Sequence, residues 1–202
     1  MTSLKLFGTD GIRGKAGAYP LTSEDARKLG KAFVEFLKDG KEKVITVAIG
    51  MDPRESSPML QDAVAEGLRQ EGVNIMLLGV LPTNAVSYLA KHYDTGGAVM
   101  ITASHNPAEE NGIKLLRGDG TKLDEKDEEQ VEAAFFNARR AGAKVKGSMA
   151  NAATATKDYL AFLEGTIPES LSGMNVVADC GNGVTSGIAR DVEFEFNGIS
   201  TP

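Results

Sequence analysis

Two hydrophobic periods alternate along the first half of the chain. Behind the helix-opening sequence Thr22-Ser23-Glu24-Asp25, residues Ala26, Leu29, Phe33, Phe36 and Leu37 recur at helical spacing until Asp39-Gly40 breaks the run. Val44-Ile45-Thr46-Val47-Ala48-Ile49 is then continuous and β-branched, as a strand buried on both faces requires, and Gly50 closes it. Ser57-Pro58 supplies a cap and a first-turn proline for a second helix, with Leu60, Val64 and Leu68 as its inner stripe and Gly72 as its stop. Val73 to Leu78 predicts another strand, Thr83 to Tyr93 a helix, and Ala98-Val99-Met100-Ile101 a third buried strand.

This βαβα alternation predicts an α/β fold with a mixed, mostly parallel sheet sandwiched between helices. Asn111-Gly112 before Ile113-Lys114-Leu115-Leu116, with Arg117-Gly118-Asp119-Gly120 after it, predicts a strand flanked by tight turns and antiparallel to its neighbours. Asp124 to Arg140 predicts a charged amphipathic helix with Val131, Ala134 and Phe135 inward, its acidic start and basic end suiting the helix dipole. The small, polar stretch Ala141 to Thr154 marks a domain boundary. Residues 1–150 then form one α/β domain. Residues 151–202 hold a linker helix, marked by Tyr159, Leu160 and Leu163, and the truncated start of a second α/β domain. There Val176-Val177-Ala178-Asp179 predicts a strand, and a helix from near Ser186 passes into strand-like alternation over Asp191 to Phe196. Too few residues remain before Pro202 to close a second sheet.

Composition narrows the partners. Among 202 residues, 28 acidic against 22 basic side chains give a net charge of -6, and no basic stripe offsets it, which excludes a general nucleic-acid binder. No apolar run reaches the roughly 18 residues of a membrane span. Met1-Thr2-Ser3-Leu4-Lys5 is polar and meets a Gly-rich segment at once, unlike a signal peptide. The single cysteine, Cys180, forms no internal disulfide and fits a reducing cytoplasm. Two histidines and one cysteine give no zinc set, and His92 lies alone in a helix.

Four segments sit where this architecture places its sites, at the carboxyl ends of strands. Gly8-Thr9-Asp10-Gly11-Ile12-Arg13-Gly14 offers exposed backbone N–H groups and a guanidinium fork suited to phosphate; the same residues equally make a Gly-rich turn with a solvated arginine. Thr102-Ala103-Ser104-His105-Asn106-Pro107 follows a buried strand and lifts Ser104 clear of the sheet as a nucleophile or phosphate carrier. Adjacent His105 need not be its base, since neighbours in extended backbone point apart, and Ser, His and Asn also serve as ordinary turn residues. No Gly-x-Ser-x-Gly elbow is present, so an esterase is a poor reading. Asn111-Gly112-Ile113-Lys114 can bring Lys114 back beside Ser104, to neutralise phosphate or exchange a proton; alone, it would be read as a surface lysine. In Gly50-Met51-Asp52-Pro53-Arg54-Glu55-Ser56-Ser57, Arg54 either reaches an anion near a helix start or pairs with Asp10 or Asp52. Gly181-Asn182-Gly183 is a weaker phosphate-cradle candidate.

Taken together, and in this order and spacing, the Gly-Thr-Asp-Gly-Ile-Arg-Gly, Thr-Ala-Ser-His-Asn-Pro and Gly-Ile-Lys segments resemble the α-D-phosphohexomutase family over essentially the whole chain. The opening heptapeptide is most similar to the branch acting on glucosamine phosphate, with the phosphomannomutase and phosphoglucomutase branches, or a non-catalytic sugar-phosphate-binding fragment, as alternatives. The resemblance implies interconversion of glucosamine 6-phosphate and glucosamine 1-phosphate through a phosphoserine at Ser104 and a bisphosphorylated intermediate. It implies Mg²⁺ bridging the Ser104 phosphate to protein carboxylates, and glucosamine 1,6-bisphosphate or glucose 1,6-bisphosphate as activator. Arg13 and Lys114 would flank the transferring group, with Lys114 as general acid/base and His105 assisting. Thr9, Asn106 and Arg54 would contact substrate or phosphate. The family's Asp-Gly-Asp-x-Asp-Arg metal loop, its sugar-recognition loop and its C-terminal phosphate loop are absent from this sequence. The expectation is therefore an N-terminal portion whose partner is the missing C-terminal portion, with negligible mutase activity alone.

Overall fold

A computed structural model describes residues 6–38, 45–137, 146–166 and 177–193. In chain order the elements are β1 (Ile12–Lys15), α1 (Ser23–Lys38), β2 (Thr46–Met51), α2 (Ser57–Gln70), β3 (Asn74–Val80), α3 (Thr83–His92), β4 (Gly97–Ile101), β5 (Glu110–Arg117), α4 (Glu125–Asn137), β6 (Met149–Asn151), α5 (Ala155–Gly165) and α6 (Ser186–Glu193). Among the described residues, six strands form one sheet in the order β1-β5-β4-β2-β3-β6. β5 runs antiparallel to both its neighbours, while β2, β3, β4 and β6 are mutually parallel. The mixed, mostly parallel sheet read from the sequence is the one observed.

The core follows the period of the strands. Val47, Ile49, Val99 and Ile101 face a cluster with Leu29 and Phe33 of α1, Leu60, Val64 and Leu68 of α2, and Val131 and Phe135 of α4. The intervening Ala48, Ala98 and Met100 face the opposite cluster, with Val86 and Leu89 of α3 and Tyr159 of α5. Each buried parallel strand thus feeds two apolar layers, which is why its sequence is apolar throughout. Thr22 opens α1 as its sequence predicts: its hydroxyl accepts the amide of Asp25 at 3.0 Å and donates to the Asp25 carboxylate at 2.5 Å.

Several expectations need correction. Residues 12–15 are an edge strand, where the sequence reads only as a Gly-rich loop. Asn111-Gly112 is not a turn but lies inside β5, because Asn111 is fully buried and its side-chain amide donates to Ser56 and Ser57. Ser57 is the first residue of α2, and its hydroxyl donates to Asp52 instead of capping the helix. Residues 149–151, which fall in the stretch read as a domain boundary, extend the sheet beside β3, where Asn74 accepts from both the amide and the hydroxyl of Ser148 at 2.9 Å. Val177-Ala178-Asp179 forms no strand, and Asp191 to Glu193 continue α6 instead of alternating. The expected features at 39–40, Val44, 138–140, Val176 and 194–196 lie outside the described residues.

α1 and α2 meet backbone to backbone. A Cβ at Gly67 would fall 2.0 Å from the Arg27 carbonyl oxygen, so alanine there forces the helices apart. Gly67→Ala is expected to lower stability by about 1–3 kcal/mol in urea unfolding, whereas Gly165→Ala, with open space around it, should change it by less than about 0.5 kcal/mol. Equal midpoints for the two variants would contradict this packing.

Candidate active site

The antiparallel β4–β5 connection carries the candidate nucleophile. Thr102 extends the strand pairing by donating its amide to the Gly112 carbonyl at 2.9 Å, and the amide of Asn106 closes a turn on the Ala103 carbonyl at 3.1 Å. Ser104, the first central residue of that turn, has φ +59°, a left-handed conformation that a serine holds only when its surroundings impose it. Its amide donates to the Thr102 hydroxyl at 2.9 Å. The Ser104 and His105 side chains are exposed at the tip, with Oγ and Nδ1 3.4 Å apart. That separation is long for a hydrogen bond, so His105 is a neighbour of the hydroxyl without being locked to it.

Two cations and one carboxylate flank this loop. The amide of Gly8 bonds the Gly11 carbonyl at 2.9 Å, and the chain then enters β1, with Arg13 in register with Gly112. Gly112 must lack a side chain here: a Cβ would sit 2.6 Å from the Thr102 carbonyl oxygen and 2.7 Å from that of Ile12. Arg13 thereby reaches over the loop, donating from Nη1 to Asn106 Oδ1 at 3.1 Å and to the Ala103 carbonyl at 3.4 Å, on both sides of Ser104. Its Nη2 meets Asp10 at 2.5 Å, and Lys114 Nζ meets the same carboxylate oxygen at 2.6 Å. The Lys114 side chain is only 11% exposed, whereas that of Asp10 is 45% exposed. Burial alone would raise the Asp10 pKa, but the hydrogen bond and charge of Lys114, with the charge of Arg13, outweigh it and hold the carboxyl below its ordinary value.

Arg54 stands apart from this pair. Its Nε donates to Asp52 at 2.9 Å; its Nη1 donates to the Pro107 and Glu110 carbonyls at 2.6 and 2.9 Å. Its Nη2 donates to the Ser104 and Asn106 carbonyls, each at 2.9 Å. All five N–H groups of the guanidinium are thus engaged on protein acceptors. Arg54, expected from the sequence to contact substrate or phosphate or to pair with Asp10 or Asp52, is paired with Asp52 and bonded to the loop itself. Thr9 lies exposed at the turn before β1, where its carbonyl accepts Lys122 Nζ at 2.7 Å. Gly181-Asn182-Gly183 forms an exposed turn whose first two residues have positive φ.

Sequence reasoning gave Asp52 no role beyond pairing with Arg54, and passed over Thr102, Glu110 and Asn111. Asp52 also accepts from the hydroxyls of Ser57 and Thr102 at 2.9 and 2.7 Å. Glu110 accepts the side-chain amide of Asn106 at 2.7 Å. The available signal was topological: Asp52 and Thr102 each follow directly on adjacent parallel strands, β2 and β4, so they emerge side by side. Among the described residues no group of three or more His, Cys, Asp or Glu side chains is placed to hold a metal ion. No helix among them is long and apolar enough to cross a membrane.

A mixed sheet between helices thus carries at its strand ends an exposed serine, in a loop bonded to Arg13. The family model described as phosphoglucomutase/phosphomannomutase, alpha/beta/alpha domain I, matches residues 4–141, and the chain belongs to that family. The phosphoglucosamine mutase of Deinococcus radiodurans is 43% identical over 196 residues, covering 95% of this chain and 44% of that protein. That of Paracoccus denitrificans is 38% identical over 208 residues, covering 99% and 45%. The chain spans less than half the length of these curated relatives. Among solved structures, a phosphoglucomutase/phosphomannomutase family protein from Burkholderia thailandensis superposes with a TM-score of 0.79 at 26% identity, covering 96% of this chain and 43% of that one. A putative phosphomannomutase from Thermus thermophilus shares the fold, with a TM-score of 0.81 at 24% identity over 96% of this chain and 44% of that one.

The depressed Asp10 pKa carries a pH signature. A carboxyl whose folded value lies below its unfolded value of 3.8 contributes stability that is full above 3.8 and lost as pH falls through the folded value. Asp10→Asn should therefore lower stability at neutral pH, by up to about 1 kcal/mol for so exposed a pair, and the gap should narrow below about pH 4. Urea unfolding at the two pH values checks this; a gap that stays constant or widens in acid would contradict the ion-pair assignment.

Proposed function

We propose that this chain carries the phosphoserine site of a phosphoglucosamine mutase, a cytoplasmic enzyme interconverting glucosamine 6-phosphate and glucosamine 1-phosphate. The observation that carries the reading is the exposed, left-handed Ser104, with Arg13 bonded to the loop on both sides of it and Lys114 joined to Arg13 through Asp10. Phosphoryl transfer needs positioning and charge neutralisation more than covalent machinery, and these residues supply both. The curated relatives, named phosphoglucosamine mutases, support the amino-sugar substrate.

In this reading Ser104 Oγ carries the phosphoryl group. A hydroxyl oxygen of the sugar phosphate bonds to phosphorus as the bond to Ser104 Oγ breaks, giving the sugar bisphosphate and a free serine. The sugar then presents its other phosphate, Ser104 Oγ attacks it, and the isomeric monophosphate leaves. Each half-reaction removes one proton from the attacking hydroxyl and delivers one to the departing oxygen. Lys114 is the proposed carrier of that proton, and Arg13 the fixed cation beside the phosphoryl oxygens. His105, Asn106 and Thr9 shape the loop and the substrate edge, with Asn106 held between Arg13 and Glu110.

Mg²⁺ is the cation the family resemblance implies; it would be held through the Ser104 phosphate, and the family's Asp ligands are absent from this sequence. The 1–150 segment is proposed as the phosphoserine-bearing domain and 151–202 as a linker helix and the start of a second. Hexosamine phosphate is the proposed partner, glucosamine or glucose 1,6-bisphosphate the activator, and the remaining portion of the enzyme a further partner. A phosphomannomutase/phosphoglucomutase is the second reading, favoured by the name of the matching domain family.

Prolonged incubation with glucosamine 1,6-bisphosphate and Mg²⁺, followed by intact mass and phosphosite mapping, tests the reading. One phosphate on Ser104 is expected, absent from Ser104→Ala, with loading slowed about 10²- to 10⁴-fold in Lys114→Met. Faster loading from mannose 1,6-bisphosphate would favour the second reading, and phosphate at another residue would overturn both. Steady-state turnover by the 202-residue chain alone is expected to be negligible.

A further inference from the structure

The backbone of Ser104 is held at both ends by side chains that share one anchor. Its amide donates to the Thr102 hydroxyl, and its carbonyl accepts Arg54 Nη2, each at 2.9 Å. Thr102 in turn donates to Asp52 Oδ2 at 2.7 Å, and Arg54 Nε donates to the same oxygen at 2.9 Å. The other oxygen of Asp52 accepts the Ser57 hydroxyl at 2.9 Å and the Arg54 amide at 3.2 Å. The Asp52 and Arg54 side chains are only 9% and 12% exposed.

Four carbonyl oxygens, from Ser104, Asn106, Pro107 and Glu110, converge on the one guanidinium. Converging carbonyl dipoles repel one another, so without a cation between them this loop would open. The Asp52 carboxylate balances the charge of Arg54, which leaves Arg13 and Lys114 as the cations facing an incoming phosphate. We propose that Arg54 is a positioning residue for Ser104: it imposes the left-handed backbone at the nucleophile from behind and touches no substrate. The proposal rests on reading Ser104 as the phosphate carrier.

The planar fork is what this grip requires. A lysine ammonium offers its donors from one atom and cannot span four carbonyls and a carboxylate, so Arg54→Lys keeps the charge and loses the grip. Displacing a reacting atom by about 1 Å costs on the order of 10²-fold in rate.

The test compares wild type, Arg54→Lys and Thr102→Val in the full 202-residue chain. Hydrogen exchange of residues 102–110 is read by mass spectrometry, and Ser104 loading is read against glucosamine 1,6-bisphosphate concentration. The expected result is faster exchange confined to the loop in both variants. Maximal loading should fall about 10- to 100-fold, with the half-saturating concentration unchanged. Unchanged loop exchange in Arg54→Lys would overturn the proposal. So would a raised half-saturating concentration with the maximal rate kept, since that is the signature of direct phosphate binding. Should Arg54→Lys fail to fold, Arg54→Gln, which keeps a donor amide but lacks the five-donor fork, decides by the same two readouts. A wild-type chain that never loads Ser104 would sink the carrier reading instead, leaving loop exchange to judge Arg54.

Discussion

Everything at the strand ends hangs on the Asp52 carboxylate. Its two oxygens accept two hydroxyls, a backbone amide and a guanidinium N–H, and through them fix α2, the loop after β4 and the start of β5. A carboxylate so enclosed is tolerable only because every lone pair is used and a cation lies against it. The hydroxyl of Ser57 also accepts from Asn111, so the network runs on into the start of β5, where Lys114 lies three residues further along. A buried polar network of this kind specifies geometry more than it adds stability. Here the geometry specified is the placement of one serine.

The site divides into two layers with different chemistry. Behind the loop, Arg54 and Asp52 neutralise each other and hold backbone. In front, Arg13 and Lys114 share Asp10, the more exposed and least enclosed carboxylate of the group. Two cations on one carboxylate leave positive potential beside Ser104, suited to a dianionic phosphoryl group. The same arrangement explains why the two arginines differ in role although both border the loop: one is saturated by protein, while the other keeps a buried Nε without a protein partner.

The fold was legible wherever burial was symmetric. β2, β4 and the inner stripes of α1 and α2 are apolar because both layers of the core press on the sheet, and their sequences say so directly. Ser104, Arg13 and Lys114 were singled out by the order and spacing of three compact segments, since residue types alone left a turn serine, a solvated arginine and a surface lysine open. What was hidden depended on distance along the chain. The carbonyl acceptors of Arg54 lie 50 to 56 residues away, and Lys114 lies 104 residues from Asp10, so no local pattern shows either contact. β1 and β6 are short edge strands without alternation, held by register and by the Asn74 side chain respectively. Val177 to Asp179 has strand-like residues but pairs with no described strand, and a strand without a neighbour has nowhere to place its backbone hydrogen bonds.

The central claim is that Ser104 passes a phosphoryl group to a hexosamine phosphate. The most direct measurement is a chase: chain already phosphorylated on Ser104 is mixed with glucosamine 6-phosphate, and phosphate is followed on both protein and sugar. The account predicts loss from Ser104 matched by the appearance of glucosamine 1,6-bisphosphate. Phosphate that stays on Ser104, or leaves only as inorganic phosphate, would contradict it.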